Sequence, residues 1–312
     1  MELLEADNNN VPALLALASV YDAQGEEEAM MQILEHAANL QPEGELGSKL
    51  QLRLAKITDN MEHRREHLEA ALHYDPANLE AAELLLELSR DEEYWEQVAY
   101  LLALISSQTE DPTARRRMDI ERVDILMQHV GALDEALEAL APIYEEVQDD
   151  MEVNRRIADA LYLSGRYDEA VGMYTWLVEV SGAENKRSKE HAHFLTRLSR
   201  VELAGGISDE AIERLRDSYR IDTTNAETLI TLSDVYAAIE QWSDALKIAR
   251  AMLLQNVDQS GLVRRGDIYV RLANAHLGLD EASKALSMLR RGAEEDPEHP
   301  DIQGMIAELQ NR

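Results

Sequence analysis

The sequence predicts an all-α solenoid of about eight helix pairs, closed by a C-terminal capping helix. Two observations carry that expectation. Apolar residues recur at spacings of three and four along nearly the whole chain, which is the signature of helices with one buried face. A turn position also returns about every 34 residues, as from Gly25 to Asp59 to Glu93. A fixed period in this range marks stacked units that bury their apolar faces on one another.

The turn column runs through Gly25, Asp59, Glu93, Gly131, Gly165, Gly206, Glu240 and Asp280. Aligned on it, the units are 11–44, 45–78, 79–112, 117–150, 151–184, 192–225, 226–259 and 266–299. Ahead of them, Leu3-Leu4-Glu5-Ala6-Asp7-Asn8-Asn9-Asn10 reads as an apolar helix end and an Asp/Asn turn. Ala71-Leu72-His73-Tyr74-Asp75-Pro76-Ala77-Asn78 has the same form. Residues 1–10 are therefore expected to be the remnant of a preceding repeat helix, with the chain a fragment of a longer array.

The fifth unit shows the pattern. Ile157, Leu161 and Leu163 share a face of its first helix, and Gly165-Arg166-Tyr167-Asp168 turns the chain. Ala170, Val171, Tyr174, Leu177 and Val178 form the apolar face of its second helix. Small residues recur where two helices must approach closely: Ala18, Ala158, Ser199, Ser233 and Ala273 on first helices, and Ala136, Ala170, Ala211, Ala245 and Ala285 on second helices. A larger side chain there would strain the contact. The second and third units depart, with Leu52, Leu86, Arg64 and Val98 at these positions, so looser packing is expected there. Thr113–Arg116, Asn185–His191 and Ser260–Arg265 interrupt the period and are expected to lengthen the first helices that follow. Ile302, Met305, Ile306 and Leu309 make one apolar stripe, expected to cap the array over 300–312.

The unit resembles the tetratricopeptide repeat over nearly the whole chain. The resemblance rests on Gly131-Ala132-Leu133-Asp134-Glu135-Ala136 and Gly165-Arg166-Tyr167-Asp168-Glu169-Ala170. Weaker copies are Gly206-Ile207-Ser208-Asp209-Glu210-Ala211 and Gln241-Trp242-Ser243-Asp244-Ala245. It rests also on Leu17-Ala18-Ser19-Val20-Tyr21 and Leu232-Ser233-Asp234-Val235-Tyr236, and on the closing prolines Pro42, Pro76 and Pro297. The resemblance implies a right-handed superhelix whose first helices line a concave groove that binds a protein or peptide.

Composition limits the partner. Thirty Lys and Arg stand against 61 Asp and Glu, a net charge of −31. Such a surface repels nucleic acid and anionic lipid. No cysteine is present, so disulfides and thiolate metal sites are excluded. No apolar run approaches the ~20 residues that span a bilayer, and no leader is visible at the start, so a cytoplasmic location is expected. Six Lys against 24 Arg suggest a bacterial source.

If first helices line the groove, Lys49, Arg53 and Lys56 form a basic ridge at i, i+4, i+7. Glu80, Glu83 and Glu87 form an acidic one beside it, followed by Arg155 and Asp159, then Arg200 and Asp234. A solvated face with cross-unit pairs such as Lys49–Glu83 would leave the same pattern. The family's carboxylate clamp is rejected, because its positions would hold Lys49, Arg53, Leu84, Met118 and Arg122, and Leu84 cannot donate. A second candidate is a basic edge at the interruptions: Arg115, Arg116 and Arg117, then Lys186, Arg187 and Lys189, then Arg264 and Arg265. Soluble connectors paired with nearby acids would explain these equally.

Chemistry finds little support. His63 and His67 are spaced as metal ligands can be, but no third ligand is placed, and a surface pair is the simpler reading. No phosphate-cradling Gly-rich loop or nucleophile elbow occurs. Trp95, Trp176 and Trp242 sit on second helices and read as packing residues. No cofactor or metal is expected. The expected function is a non-catalytic protein-interaction scaffold or adaptor. A regulatory or substrate-recruiting region of a larger enzyme is the alternative, RNA binding is less favoured, and self-association stays open.

Overall fold

The computed structural model describes residues 9–40 and 42–310. The expected remnant helix falls mostly on residues 1–8, outside the described residues. Among the described residues there are 17 α-helices and no strand, so the all-α repeat class holds. The chain divides into two compact units, residues 1–145 and 146–312.

The first unit holds four helix pairs. They are α1 (Val11–Gln24) with α2 (Glu27–Asn39), α3 (Gly44–Ile57) with α4 (Met61–Tyr74), α5 (Leu79–Asp91) with α6 (Trp95–Gln108), and α7 (Pro112–Ile125) with α8 (Leu133–Glu146), whose last residue passes the boundary. The second unit holds α9 (Met151–Leu163) with α10 (Tyr167–Asn185), α11 (Lys189–Gly205) with α12 (Asp209–Ile221), α13 (Ala226–Ala238) with α14 (Trp242–Leu254), α15 (Arg265–Gly278) with α16 (Ala282–Glu295), and the terminal α17 (Ile302–Gln310).

The helices start and stop where the sequence provides for it. Side-chain oxygens of Asn10, Asn60, Asn78 and Asp111 accept from the free amides opening α1, α4, α5 and α7. Asp150, Ser188, Ser208 and Asn225 do the same for α9, α11, α12 and α13. Each such cap contributes about 1 kcal/mol. The turn column is the helix-ending left-handed position: φ is positive at Gly25, Glu93, Gly131, Gly165, Gly206, Glu240 and Asp280. Asp59 is absent from that set; α3 ends instead on Thr58 in extended backbone, φ −86° and ψ 119°.

A non-glycine residue held at positive φ costs free energy through its Cβ. Glu93→Gly, Glu240→Gly and Asp280→Gly are each expected to stabilise the chain by about 0.5–1 kcal/mol, after allowing for glycine's greater unfolded-state freedom. Urea melts check this, and a lowered midpoint would contradict the strain argument.

The close-approach residues behave as their size requires. Ala18, Ala136, Ala158, Ala170, Ser199, Ala211, Ala273 and Ala285 are completely buried. In the first unit, Leu14, Leu34, Leu50 and Leu54 share a core. In the second, Leu215, Leu229, Leu232, Ala249, Met252 and Tyr269 share another. A buried hydroxyl network fixes the register of α11, α12 and α13. Thr196 Oγ1 lies 2.8 Å from Ser218 Oγ and 2.7 Å from Thr228 Oγ1, and Ser218 donates to the Ala192 carbonyl at 2.7 Å. α17 lays Ile302, Met305, Ile306 and Leu309 on Ala273, Ala285 and Leu289, as the cap expectation required.

The interruptions differ from one another. Thr113–Arg116 extends α7. Asn185–His191 prolongs both α10 and α11. Of Ser260–Arg265 only Arg265 joins the following helix, so the expected lengthening is corrected to a single residue. Left-handed backbone at Asn256 and Gly261 breaks the chain into a 3-10 turn, Val257–Ser260, and a loop. A π-helical turn, Leu126–Val130, ends the first helix of the fourth pair; no Pro or Gly within it announces it.

The last pair is tied by charge. Tyr269 donates to Glu295 at 2.5 Å, and Arg265 and Arg291 each reach the same carboxylate at 2.9 Å. The Tyr269 hydroxyl first, and Arg265 second, hold the Glu295 carboxyl down to about 2. A carboxylate depressed on folding contributes stability above its ordinary value of 4.5 and loses it as pH falls toward about 2. Glu295→Gln is therefore expected to flatten the acid-side decline of stability in that window. An unchanged decline in urea melts between those pH values would contradict it.

Candidate partner-binding faces

In the first unit the groove residues are mostly engaged. Arg53 donates to the Leu15 carbonyl at 2.8 Å and to the Ser19 hydroxyl, stitching α3 to α1. Lys56 pairs with Glu80 at 2.5 Å, joining α3 to α5. Lys49 pairs with Glu45 on its own helix at 2.6 Å, not with Glu83; the cross-unit pair Lys49–Glu83 is a correction, because Glu45 one turn away is the nearer carboxylate. Arg90 pairs with Glu121 at 2.5 Å, joining α5 to α7. Glu83, Glu87 and Asp91 stay exposed on α5.

The basic-edge residues divide. Arg115 donates to the Thr109 carbonyl at 2.6 Å. Arg116 is engaged and Arg117 is exposed. Lys186 and Arg187 are exposed, and Lys189 lies 3.7 Å from Asp222. Arg264 pairs with Asp296, while Arg265 pairs with Asp258 at 3.1 Å and with Glu295. The last two therefore tie structure together. His67 Nδ1 meets Gln51 Oε1 at 2.7 Å, and among the described residues no cluster of three His, Asp or Glu could hold a metal ion. No described helix is long and apolar enough to cross a membrane.

The second unit concentrates chemistry on one face. Arg155, Asp159 and Tyr162 follow one another on α9 at helical spacing, and His193, Arg197 and Arg200 do so on α11. Glu227 opens α13. Glu152 is shared by Arg155 at 2.6 Å and Arg156 at 3.1 Å. Glu227 is shared by Arg197 at 3.1 Å and Arg200 at 2.9 Å. Asp159 instead accepts the buried Tyr174 hydroxyl at 2.6 Å, and burial first, then Asp159, push that hydroxyl's pKa upward. Arg155, Arg156, Arg197 and Arg200 thus lie among the carboxylates Glu152, Asp159 and Glu227, a concentration of guanidiniums in a chain of net charge −31.

The Tyr162 ring lies 4.6 Å from the Arg197 guanidinium and 5.3 Å from that of Arg200. Each such contact orders the cation on a flat support. Nε of Arg155 and of Arg197 is buried with no hydrogen-bond partner. Arg197 Nε is within ion-pair reach of Glu227 but without hydrogen-bond alignment. Burial lowers the His193 pKa, and Arg197 lowers it further. Planar guanidiniums held on an aromatic face are suited to two-point recognition of a carboxylate. Farther along the row of first helices, Arg271 on α15 pairs with Asp234 on α13 at 3.0 Å.

The structure thus brings Arg155, Asp159 and Arg200 together. Sequence reasoning missed Tyr162, His193, Arg197 and Glu227. The 4-then-3 spacing of His193, Arg197 and Arg200 was the available signal.

Residues 11–43 match the family model of the tetratricopeptide repeat. The described chain is an all-α helical repeat array, and its residues 11–43 are similar to the tetratricopeptide repeat. Repeats of this family generally mediate protein–protein interaction, and tetratricopeptide proteins are typically non-catalytic scaffolds. The array is similar to lipopolysaccharide assembly protein B of Escherichia coli strain K12, 20% identical over 176 residues, 56% of this chain and 44% of the relative. The O157:H7 protein matches with the same figures. The chain spans less than half the length of these relatives. Among solved structures, a tetratricopeptide repeat protein from Parabacteroides merdae matches at 13% identity and TM-score 0.47, over 85% of this chain and 99% of the other. A thermophilic tetratricopeptide repeat protein of Thermus thermophilus matches at 18% identity and TM-score 0.41, over 61% and 97%.

Proposed function

We propose that the chain is a non-catalytic protein-binding module, and that the α9–α11–α13 face of its second unit holds an acidic segment of a protein partner. The observation that carries this reading is the pair of guanidiniums, Arg197 and Arg200, that lie over the Tyr162 ring and share the single carboxylate of Glu227. Two guanidiniums sharing one carboxylate keep donors for a further anion, and their flat forks suit a ligand carboxylate. The clustered guanidiniums select an anionic ligand. The assembly role named for the Escherichia coli relative is of the same general kind, and no more specific role is carried across.

The test is fluorescence anisotropy of a dye-labelled peptide rich in Glu, titrated with the whole chain at increasing salt. The reading expects saturable binding that weakens with salt and is lost in Arg155→Ala/Arg200→Ala. Equal binding by that variant would overturn it.

A further inference from the structure

We infer that the first unit carries a separate docking pocket for an aliphatic side chain flanked by basic residues in a partner protein. It lies among α3, α4 and α5 and has a volume of about 290 Å³, near the lower end of the roughly 300–1,000 Å³ typical of ligand sites. That size suits one side chain better than a free cofactor. Its inner wall is Leu68, Leu84 and Leu88. Leu68 and Leu88 are buried, and the apolar surface open to a partner is that of the half-buried Leu84 and of Met61, 44% exposed.

The cleft has a cause in the sequence. Five second helices carry Ala at their close-approach position: Ala136, Ala170, Ala211, Ala245 and Ala285. α4 carries Arg64 there. That arginine turns its Nε to the Thr58 carbonyl at 3.2 Å, and its side chain lines the cleft. The preceding turn at Asp59 also lacks the left-handed residue that closes the other hairpins. The departure from the repeat and the opening therefore occur at one place.

Charge decides what sits beside the aliphatic group. Glu87 and Asp91 stand on the rim, and Glu83 lies one turn before Glu87 on the same helix. All three are exposed. Lys56 is already paired with Glu80, and Arg64, which donates to the Thr58 carbonyl, keeps its positive charge at the cleft. With Lys56 paired, Glu83, Glu87 and Asp91 outnumber Arg64, so the rim is net acidic around an apolar floor. Basic residues on either side of a leucine, isoleucine or methionine meet that pattern, and an acidic segment does not. A small apolar pocket of this kind is where a buried anchor side chain contributes most of an interface's affinity.

This inference is independent of the acidic-segment reading, because the two probes carry opposite charge. The probe here is dye-labelled acetyl-Arg-Lys-Leu-Arg-Lys-amide, with a control in which serine replaces the leucine. Both are titrated against the whole chain by anisotropy at moderate salt. The leucine peptide is expected to bind about 10- to 100-fold more tightly than the serine peptide, the effect of burying one aliphatic side chain. Leu84→Trp, which fills the pocket, should remove that difference. Glu87→Lys/Asp91→Lys should weaken the leucine peptide about tenfold or more by reversing the rim, and it leaves the apolar floor intact should the tryptophan variant fold poorly. Equal affinity for the two peptides would overturn the proposal, as would failure of the leucine peptide to bind or unchanged binding to the rim variant.

Discussion

Arg197→Glu is expected to weaken an acidic partner by about 2–4 kcal/mol, or roughly 30- to 1,000-fold. Three effects add. The variant removes the guanidinium that rests on Tyr162. It places a second carboxylate beside Glu227, which now neutralises both Arg197 and Arg200. It also turns one cation of the cluster into an anion. Arg200 would then be held by two carboxylates and would offer less to a ligand. Arg197→Lys separates charge from geometry: a lysine keeps the sign but loses the flat fork, so an intermediate loss is expected. Isothermal calorimetry with the Glu-rich peptide measures both. A loss under threefold for the charge reversal would exclude this face as the binding site.

Leu215→Ala is expected to cost about 2–5 kcal/mol, the range for a fully buried leucine whose cavity cannot collapse. Leu215 is 0% exposed and packs within the core that includes Leu229, Leu232 and Ala249. Stacked repeats hold together through neighbouring units, so damage stays local. Hydrogen exchange should accordingly speed most in α11–α14, with less change in α16 and α17. A uniform rise across the second unit would show a single cooperative core in place of stacked pairs.

The fold was legible in the sequence to the extent that it is written in backbone and volume. The turn column was found as a pattern of small and acidic residues, and its physical content is the left-handed φ at seven of the eight positions. The buried alanines were legible because close helix contact admits little else. Arg64 was legible as a defect, and a cleft lies there. The charge partners were not legible. Arg264 and Asp296 are 32 residues apart and meet only when α15 and α16 pack. Lys49 has Glu45 and Glu83 both within plausible reach by spacing, and rotamers decide between them. Arg197 escaped notice because its importance lies in a shared carboxylate and a ring beneath it, which no single-helix pattern reveals.

Site-specific photo-crosslinking tests the central claim most directly. Benzoylphenylalanine is placed in the whole chain at Thr231, on the α13 face that continues from Glu227, or at Thr175, exposed on the second helix α10. The account predicts that a bound acidic partner or Glu-rich peptide crosslinks from Thr231 and not from Thr175, and that high salt abolishes the crosslink. Crosslinking from Thr175 alone would place the partner on the second helices and contradict the account.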